Sequence, residues 1–286
     1  MTRTFSAAPF AALCLALLGL VGCAAAPQMP PDVRLPTYSA EPFAAVLDAS
    51  VRDGLIDYAA IVDEPDTLDD LDGKLDIYLN ALARFGPERT PELFPTEADE
   101  LAYYLNAYNA VMLRLWLDKG ARQADGDEKV FWGTWFTVNQ WRIDGRSMSL
   151  DYLEQRLIRP RYEEPRIHAA LVCGAVDCPP MLDEPFVGER LDEQLDGRMR
   201  AWLHDPAEDG LRVTEDGRVY LSRIFGWYRD DFRESGGFEA MIEQYLDDSD
   251  PRKAVALAAI RENRLRFLRY DWTINLAPRP LESAAR

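Results

Sequence analysis

Apolar positions recur at helical spacing through the first half of the chain. Phe43, Val46 and Leu47 share one face of a predicted helix over 40–52, with Ser39 as its cap and Gly54 after its end. Residues 55–61 read as a short extended link. After Asp66 the positions Leu68, Leu71, Leu75, Tyr78, Leu79, Leu82 and Phe85 keep the same period, and Gly86-Pro87 terminates a second helix. The pattern is strongest over 97–119. Thr96 and Asp99 have the spacing of a capping box, and Gly120 stops the helix. Its middle is apolar nearly all round, which predicts burial on most sides. Asn106 and Asn109 lie one turn apart on one face of it. A buried asparagine needs hydrogen-bond partners. These two either pin neighbouring loop backbones or turn their amides into a pocket.

From residue 131 the pattern changes. Phe131, Trp132, Trp135, Phe136 and Trp141 read as strand structure through Ile143, either sheet core or a platform for carbohydrate or peptide. Asp144-Gly145 signals a turn, and Ser149 caps a helix over 150–159. The run 167–172 reads as a buried strand that carries His168. A Gly-containing loop follows, and Pro179 and Pro180 end regular structure there. Leu191, Leu195, Met199 and Trp202 mark an amphipathic helix over 188–203. Residues 211–213 and 218–221 form a hairpin around Glu215-Asp216-Gly217. Ser222 caps a short helix, helices follow over 238–246 and 253–260, and 267–276 reads as a last strand. Helices early and short strands late predict one α+β domain over 40–276 with a tail at 277–286. Its centre is a buried helix on a small, mostly antiparallel sheet.

Charge and the N-terminus change the picture. With a formal net charge of −17 over 286 residues, the chain has no overall basic character for nucleic acid, so no nucleic-acid partner is expected. Arg3 precedes an apolar stretch over 11–21 that is too short to span a bilayer. The stretch ends in Leu20-Val21-Gly22-Cys23, the pattern of a bacterial lipobox. Residues 1–22 are therefore expected to be a signal peptide, Cys23 a lipidation site and 23–39 a proline-containing tether. An ordinary signal cleaved near 24–26 is the alternative. Ala24, rather than Asp, points to the outer membrane, periplasm-facing. The expected partners are that membrane and an envelope protein or polymer.

Five stretches then occur in a telling order: YYLNAYNA (103–110), SLDYLE (149–154), PRIHAALVCGAVDCPP (165–180), LSRIFGWYRDDF (221–232) and YDWTIN (270–275). Together they resemble the bacterial proteins of domain-of-unknown-function family 547, over roughly 40–276. The resemblance implies a secreted or lipid-anchored protein, and it carries over no catalytic residue. At the level of fold the arrangement is also similar to papain- and transglutaminase-like folds, with the Asn106–Asn109 helix as central helix and the His168 segment as the histidine strand. This helix, however, has no cysteine at its N-terminus, where those folds place their nucleophile. Fold alone does not give function.

Chemistry concentrates in 165–180, which holds one of two histidines and two of four cysteines. Cys173 or Cys178 could be a thiol nucleophile with His168 as base and Asp177 or Asp271 as the orienting carboxylate. A straight strand would hold His168 and Cys173 about 17 Å apart at ~3.3 Å per residue and on opposite faces. The alternative is a Cys173–Cys178 disulfide, suited to an oxidising compartment and worth about 2–3 kcal/mol for so small a loop. A histidine on an apolar segment is otherwise a core group bonded to backbone. No metal site and no cofactor are expected, because the chain lacks paired His or Cys spacing, a phosphate loop and a dinucleotide fingerprint. Asp177, Asp230 and Asp231 are the carboxylates a hard cation would use. The reading is a binding or envelope-associated protein, with a thiol-dependent hydrolase or acyltransferase as the alternative.

Overall fold

The structure, a computed structural model, describes residues 36–61, 69–129, 132–207 and 209–278. The signal peptide, Cys23 and most of the tether lie outside the described residues, as do Asp66, Leu68 and the end of the tail. Helix α1 (Glu41–Ser50) buries Phe43, Val46 and Leu47 as the pattern requires. The Ser39 hydroxyl accepts from the Glu41 N–H at 3.2 Å. The expected link is partly regular. Strands β1 (Val51–Arg52) and β2 (Leu55–Ile56) form a small antiparallel hairpin, followed by a 3-10 turn at Tyr58–Ala60. Helix α2 (Leu71–Arg84) starts after Asp70, whose carboxylate accepts from the Gly73 N–H.

Helix α3 (Glu97–Asp118) is the axis of the molecule. Its capping box is made by Thr96 and Asp99, and residues 101–113 are all buried. A helix covered on every side must satisfy its polar side chains within the protein. Arg114 does so on Asp72 at 2.7 Å and Asp118 at 2.8 Å.

The aromatic run after 131 is a correction. It forms helix α4 (Trp132–Val138), and only β3 (Trp141–Ile143) is strand, paired with β4 (Arg146–Met148). Trp132, Trp135 and Phe136 have i, i+3, i+4 spacing, which outweighs the strand preference of aromatic residues. Ser149 caps α5 (Leu150–Tyr152), whose chain continues through a π-helical Leu153–Ile158 into α6 (Arg159–Tyr162). Then come α7 (Leu191–Leu203), β5 (Leu211–Val213), β6 (Val219–Leu221), α8 (Arg223–Trp227), α9 (Arg229–Glu234), α10 (Gly237–Tyr245), α11 (Pro251–Arg261) and β7 (Arg266–Phe267). Pairing is antiparallel in β5–β6 and parallel in β6–β7. The α+β expectation holds, with the strands divided among three small sheets.

The expected His168 strand is instead a 3-10 turn, Pro165–Ala169. Proline at its first position has its φ set for a helical turn, and the Glu164 carboxylate accepts from the Arg166 N–H at 2.9 Å. A short apolar run does not separate the two structures by period. The last expected strand fails for another reason. Beyond β7 the segment makes isolated bridges, Lys129 to Thr273, Ala175 to Ile274 and Ile56 to Leu276. A segment tied to three separate partners has no single neighbour with which to build a ladder.

Apolar side chains gather in two clusters. One surrounds α3. The other lies among α7 to α11 and the β5–β6 hairpin. The 165–173 segment runs between them, since Ile167 packs into the first and Ala169 into the second.

Candidate functional site

Between the two clusters is a cavity of about 280 Å³. Its lining comes from one residue of α3 (Tyr108), one of the π-helical segment (Glu154), four of the 165–180 loop (His168, Leu171, Cys173, Cys178), two of α8 with the residue after it (Ile224, Trp227, Tyr228) and two of the C-terminal segment (Tyr270, Trp272). Every one of these residues lies in one of the five stretches that carry the family resemblance. Far apart in sequence, the five meet in space at this cavity.

His168 is buried against its wall. Its ring stacks on Tyr228 at 3.9 Å between centroids, and Nε2 bonds Asp231 Oδ2 at 2.7 Å. Arg159 donates to both oxygens of Asp231, at 2.8 and 2.7 Å. Its guanidinium carbon also lies 4.6 Å from the centre of the Tyr228 ring. Burial would raise the Asp231 carboxyl, but the hydrogen bonds from His168 and Arg159 outweigh it and hold its pKa well below the ordinary carboxylate range. Burial pushes the His168 pKa below 6.5, further than Asp231 raises it. His168 is therefore neutral at pH 7, with Nε2–H donated to an ionised Asp231. The carboxylate that orients the histidine is neither Asp177 nor Asp271. Asp271 accepts from Thr273 and donates its backbone N–H to Asp177 at 2.6 Å, and neither carboxylate lines the cavity.

Glu154, 3 % exposed, is the acid within the cavity. Its Oε1 accepts from the Tyr228 hydroxyl at 2.5 Å and from Gln155 Nε2 at 2.9 Å. Burial raises its pKa above 4.5 despite hydrogen bonds from Tyr228 and Tyr108 and the charge of Arg159. Among the described residues no arginine or lysine forms an ion pair with it. Its position in SLDYLE was the available signal, but a lone glutamate on a helix reads as surface.

The sulfurs of Cys173 and Cys178 lie at disulfide distance, with Cα atoms 6.4 Å apart. The Tyr270 hydroxyl approaches them at 3.3 and 3.1 Å. Gly174 turns the chain between them at φ +83°, and a Cβ there would lie 2.1 Å from Trp116 Nε1. Glycine is thus required twice over, for its conformation and for the close approach of Trp116, whose Nε1 donates to the Cys173 carbonyl at 3.1 Å. The coiled 165–173 segment brings His168 and both sulfurs to one cavity, which a straight strand would not have done. No hydrogen bond joins His168 to either sulfur among the described residues.

Asn106 and Asn109 hold backbone. Asn109 donates to the Ala170 carbonyl at 2.9 Å and accepts from the Val172 N–H at 3.0 Å, pinning the segment between His168 and Cys173. Asn106 makes the matching pair with Phe186, at 2.8 Å each way. Neither amide lines the cavity. Among the described residues no group of three or more His, Cys, Asp and Glu is placed to hold a metal ion. Asp230 pairs with Arg233, and Asp177 serves the Asp271 backbone. The aromatic run after 131 supplies no platform to this site. Phe136 and Trp141 are buried, and Trp135 packs edge-on to Trp116.

Residues 94–203 match the family model described as "Protein of unknown function, DUF547". No curated protein and no solved structure matches the chain.

Proposed function

From the premise that residues 94–203 belong to the DUF547 family, we propose that the chain is a lipid-anchored, periplasm-facing envelope protein whose cavity binds a small, largely apolar molecule or group. The observation that carries this reading is the meeting of the five stretches at one aromatic-walled cavity. Binding sites are concave and mostly apolar, with few polar groups, and about 300 Å³ is the lower end of their range. Three devices fix the walls before any guest arrives. These are the Asn109 brace, the His168–Asp231–Arg159 chain and the Cys173–Cys178 pair. Walls set in advance lower the ordering cost of binding. Trp227 is 46 % exposed and leaves the rim accessible.

The neutral probe 3,3-dimethylbutan-1-ol tests the cavity. It should change tryptophan fluorescence saturably and raise Tm. Leu171→Trp or Ile224→Trp, which fill the space, should abolish both effects. No saturable response, or an equal response in the filled variants, would overturn the reading. The anchor rests on Leu20-Val21-Gly22-Cys23. Cells fed an alkyne palmitate should label the protein, and Cys23→Ala should lose the label; unchanged labelling would remove the anchor.

A second reading keeps thiol chemistry at the same place, because His168 and both sulfurs line one cavity and Asp231 orients the imidazole. It requires the pair in its reduced form. Thiol titration of the native protein before reductant decides it, and finding no free thiol would sink it.

A further inference from the structure

We infer that the guest of this cavity carries a quaternary ammonium group, held against the rings of Tyr108, Trp227, Tyr270 and Trp272 with the Glu154 carboxylate as its counter-ion. This rests on the reading of the cavity as a binding site and names the class of ligand.

The argument begins with the rings. Trp227 and Trp272 stack at 5.7 Å, and Tyr270 packs against them at 4.9 and 4.4 Å, so the three form one continuous wall. The Tyr108 ring enters from α3. The faces of such rings are electron-rich and attract cations, tryptophan most strongly. Tyr228 is spoken for, since His168 stacks on it and Arg159 lies over it, so it offers its hydroxyl to Glu154 instead.

Charge points the same way. Among the described residues the lining contains no lysine or arginine, its histidine is neutral, and its single acid is Glu154. Arg159, the cation whose charge acts on Glu154, is committed to Asp231 through two hydrogen bonds. A buried carboxyl without an ionic partner is costly to ionise, and a bound cation supplies the missing charge. The overall charge of −17 also draws cations toward the protein.

The walls also select among cations. A primary ammonium needs three hydrogen-bond acceptors to replace its water. Here the one carboxylate already accepts from Tyr228 and Gln155, and most of the remaining lining is rings and apolar side chains. A quaternary ammonium spreads its charge over methyl groups and needs no such acceptors, so it loses least on entering. The source is either a free solute such as choline or the headgroup of a choline lipid, which share this chemistry.

Binding also couples to protons. The groups facing Glu154 are Asp151 and Arg159 on its own stretch of chain, Tyr108 from α3, and Tyr228 after α8. Tyr270 from the C-terminal segment senses its charge as well. With these in place Glu154 holds its proton above 4.5, and a cation that ionises it must release that proton. Choline affinity should therefore rise with pH up to the raised Glu154 pKa and level off above it.

The test compares choline with 3,3-dimethylbutan-1-ol, which has the same shape without the charge, by calorimetric titration of the native protein. Choline should bind about tenfold or more tightly than the neutral probe. Glu154→Gln should bring the two within about threefold and flatten the pH dependence, while Trp272→Leu should weaken choline and spare the neutral probe. Vesicles of phosphatidylcholine and of phosphatidylglycerol separate the sources. Binding of free choline marks a solute, and binding of phosphatidylcholine vesicles alone marks a headgroup; either sustains the inference. Equal binding of choline and the neutral probe overturns it and leaves the apolar site standing. If neither probe nor the choline vesicles bind, the cavity is no binding site and both readings fall.

Discussion

Replacing Asp231 with alanine tests whether the wall of the cavity is held by the chain of bonds that runs from Arg159 to His168. In the native protein Asp231 Oδ2 accepts from His168 Nε2 at 2.7 Å, and both of its oxygens accept from Arg159. Side-chain exposures are 2 % for His168, 25 % for Asp231 and 24 % for Arg159. Removing the carboxylate leaves a buried imidazole N–H without its acceptor, which costs about 1–3 kcal/mol. The Arg159 pair adds about 1 kcal/mol or less, because it is partly solvated. Arg159 also keeps Gln155 and the Tyr228 ring as partners. The sum is a destabilisation of about 1–4 kcal/mol, read by urea unfolding with an unchanged m value. Asp231→Asn retains an acceptor for Nε2–H and should cost roughly half as much. Proton NMR gives an independent readout, since the chain has only two histidines. Asp231 raises the His168 pKa and Arg159 lowers it, so the variant should titrate still lower than the native protein. A stability loss under about 0.5 kcal/mol would refute the reasoning, because a buried donor cannot lose its partner so cheaply. So would an upward shift of the His168 pKa.

The two asparagines of α3 should separate stability from binding. Asn109→Ala leaves the Ala170 carbonyl and the Val172 N–H unpaired and should cost about 2–4 kcal/mol, with weaker binding of 3,3-dimethylbutan-1-ol. Asn106→Ala should cost a similar amount in urea and leave binding unchanged, since Phe186 does not line the cavity. Stability against pH should carry two opposed contributions. His168 has its folded pKa below 6.5, so the unfolded chain takes up the proton first and stability falls as pH drops below about 6.5. Glu154 has its folded pKa above 4.5, so the unfolded chain loses its proton first and stability falls as pH rises from 4.5 toward that value. Urea titrations of Glu154→Gln between pH 4 and 7 should lack the second slope and keep the first; an unaltered profile would contradict the assignment.

Local rules made the helical half of the protein legible. Thr96 and Asp99 begin α3, and Ser149 and Ser222 begin α5 and α8, because a cap needs only residues a few positions away. The 211–221 hairpin, the α+β class and the family match over 94–203 followed from patterns of the same short range. What failed were short apolar segments. The 165–169 turn and α4 were expected as strand, because a few apolar residues fit either period and their neighbours in space decide the outcome. The 268–276 segment lost its strand to three separate partners. The same limit governed the site. The sequence marked His168, Cys173 and Cys178 as neighbours along the chain, and it marked the five stretches in which every cavity residue lies. Only the tertiary structure chose among the members of those stretches. It took Asp231 rather than Asp271 as the partner of His168, turned Asn106 and Asn109 to backbone, and sealed Glu154 among aromatic rings. Caps and periods are interactions over a few residues, whereas a carboxylate acquires its role from burial and charge brought by segments more than a hundred residues away.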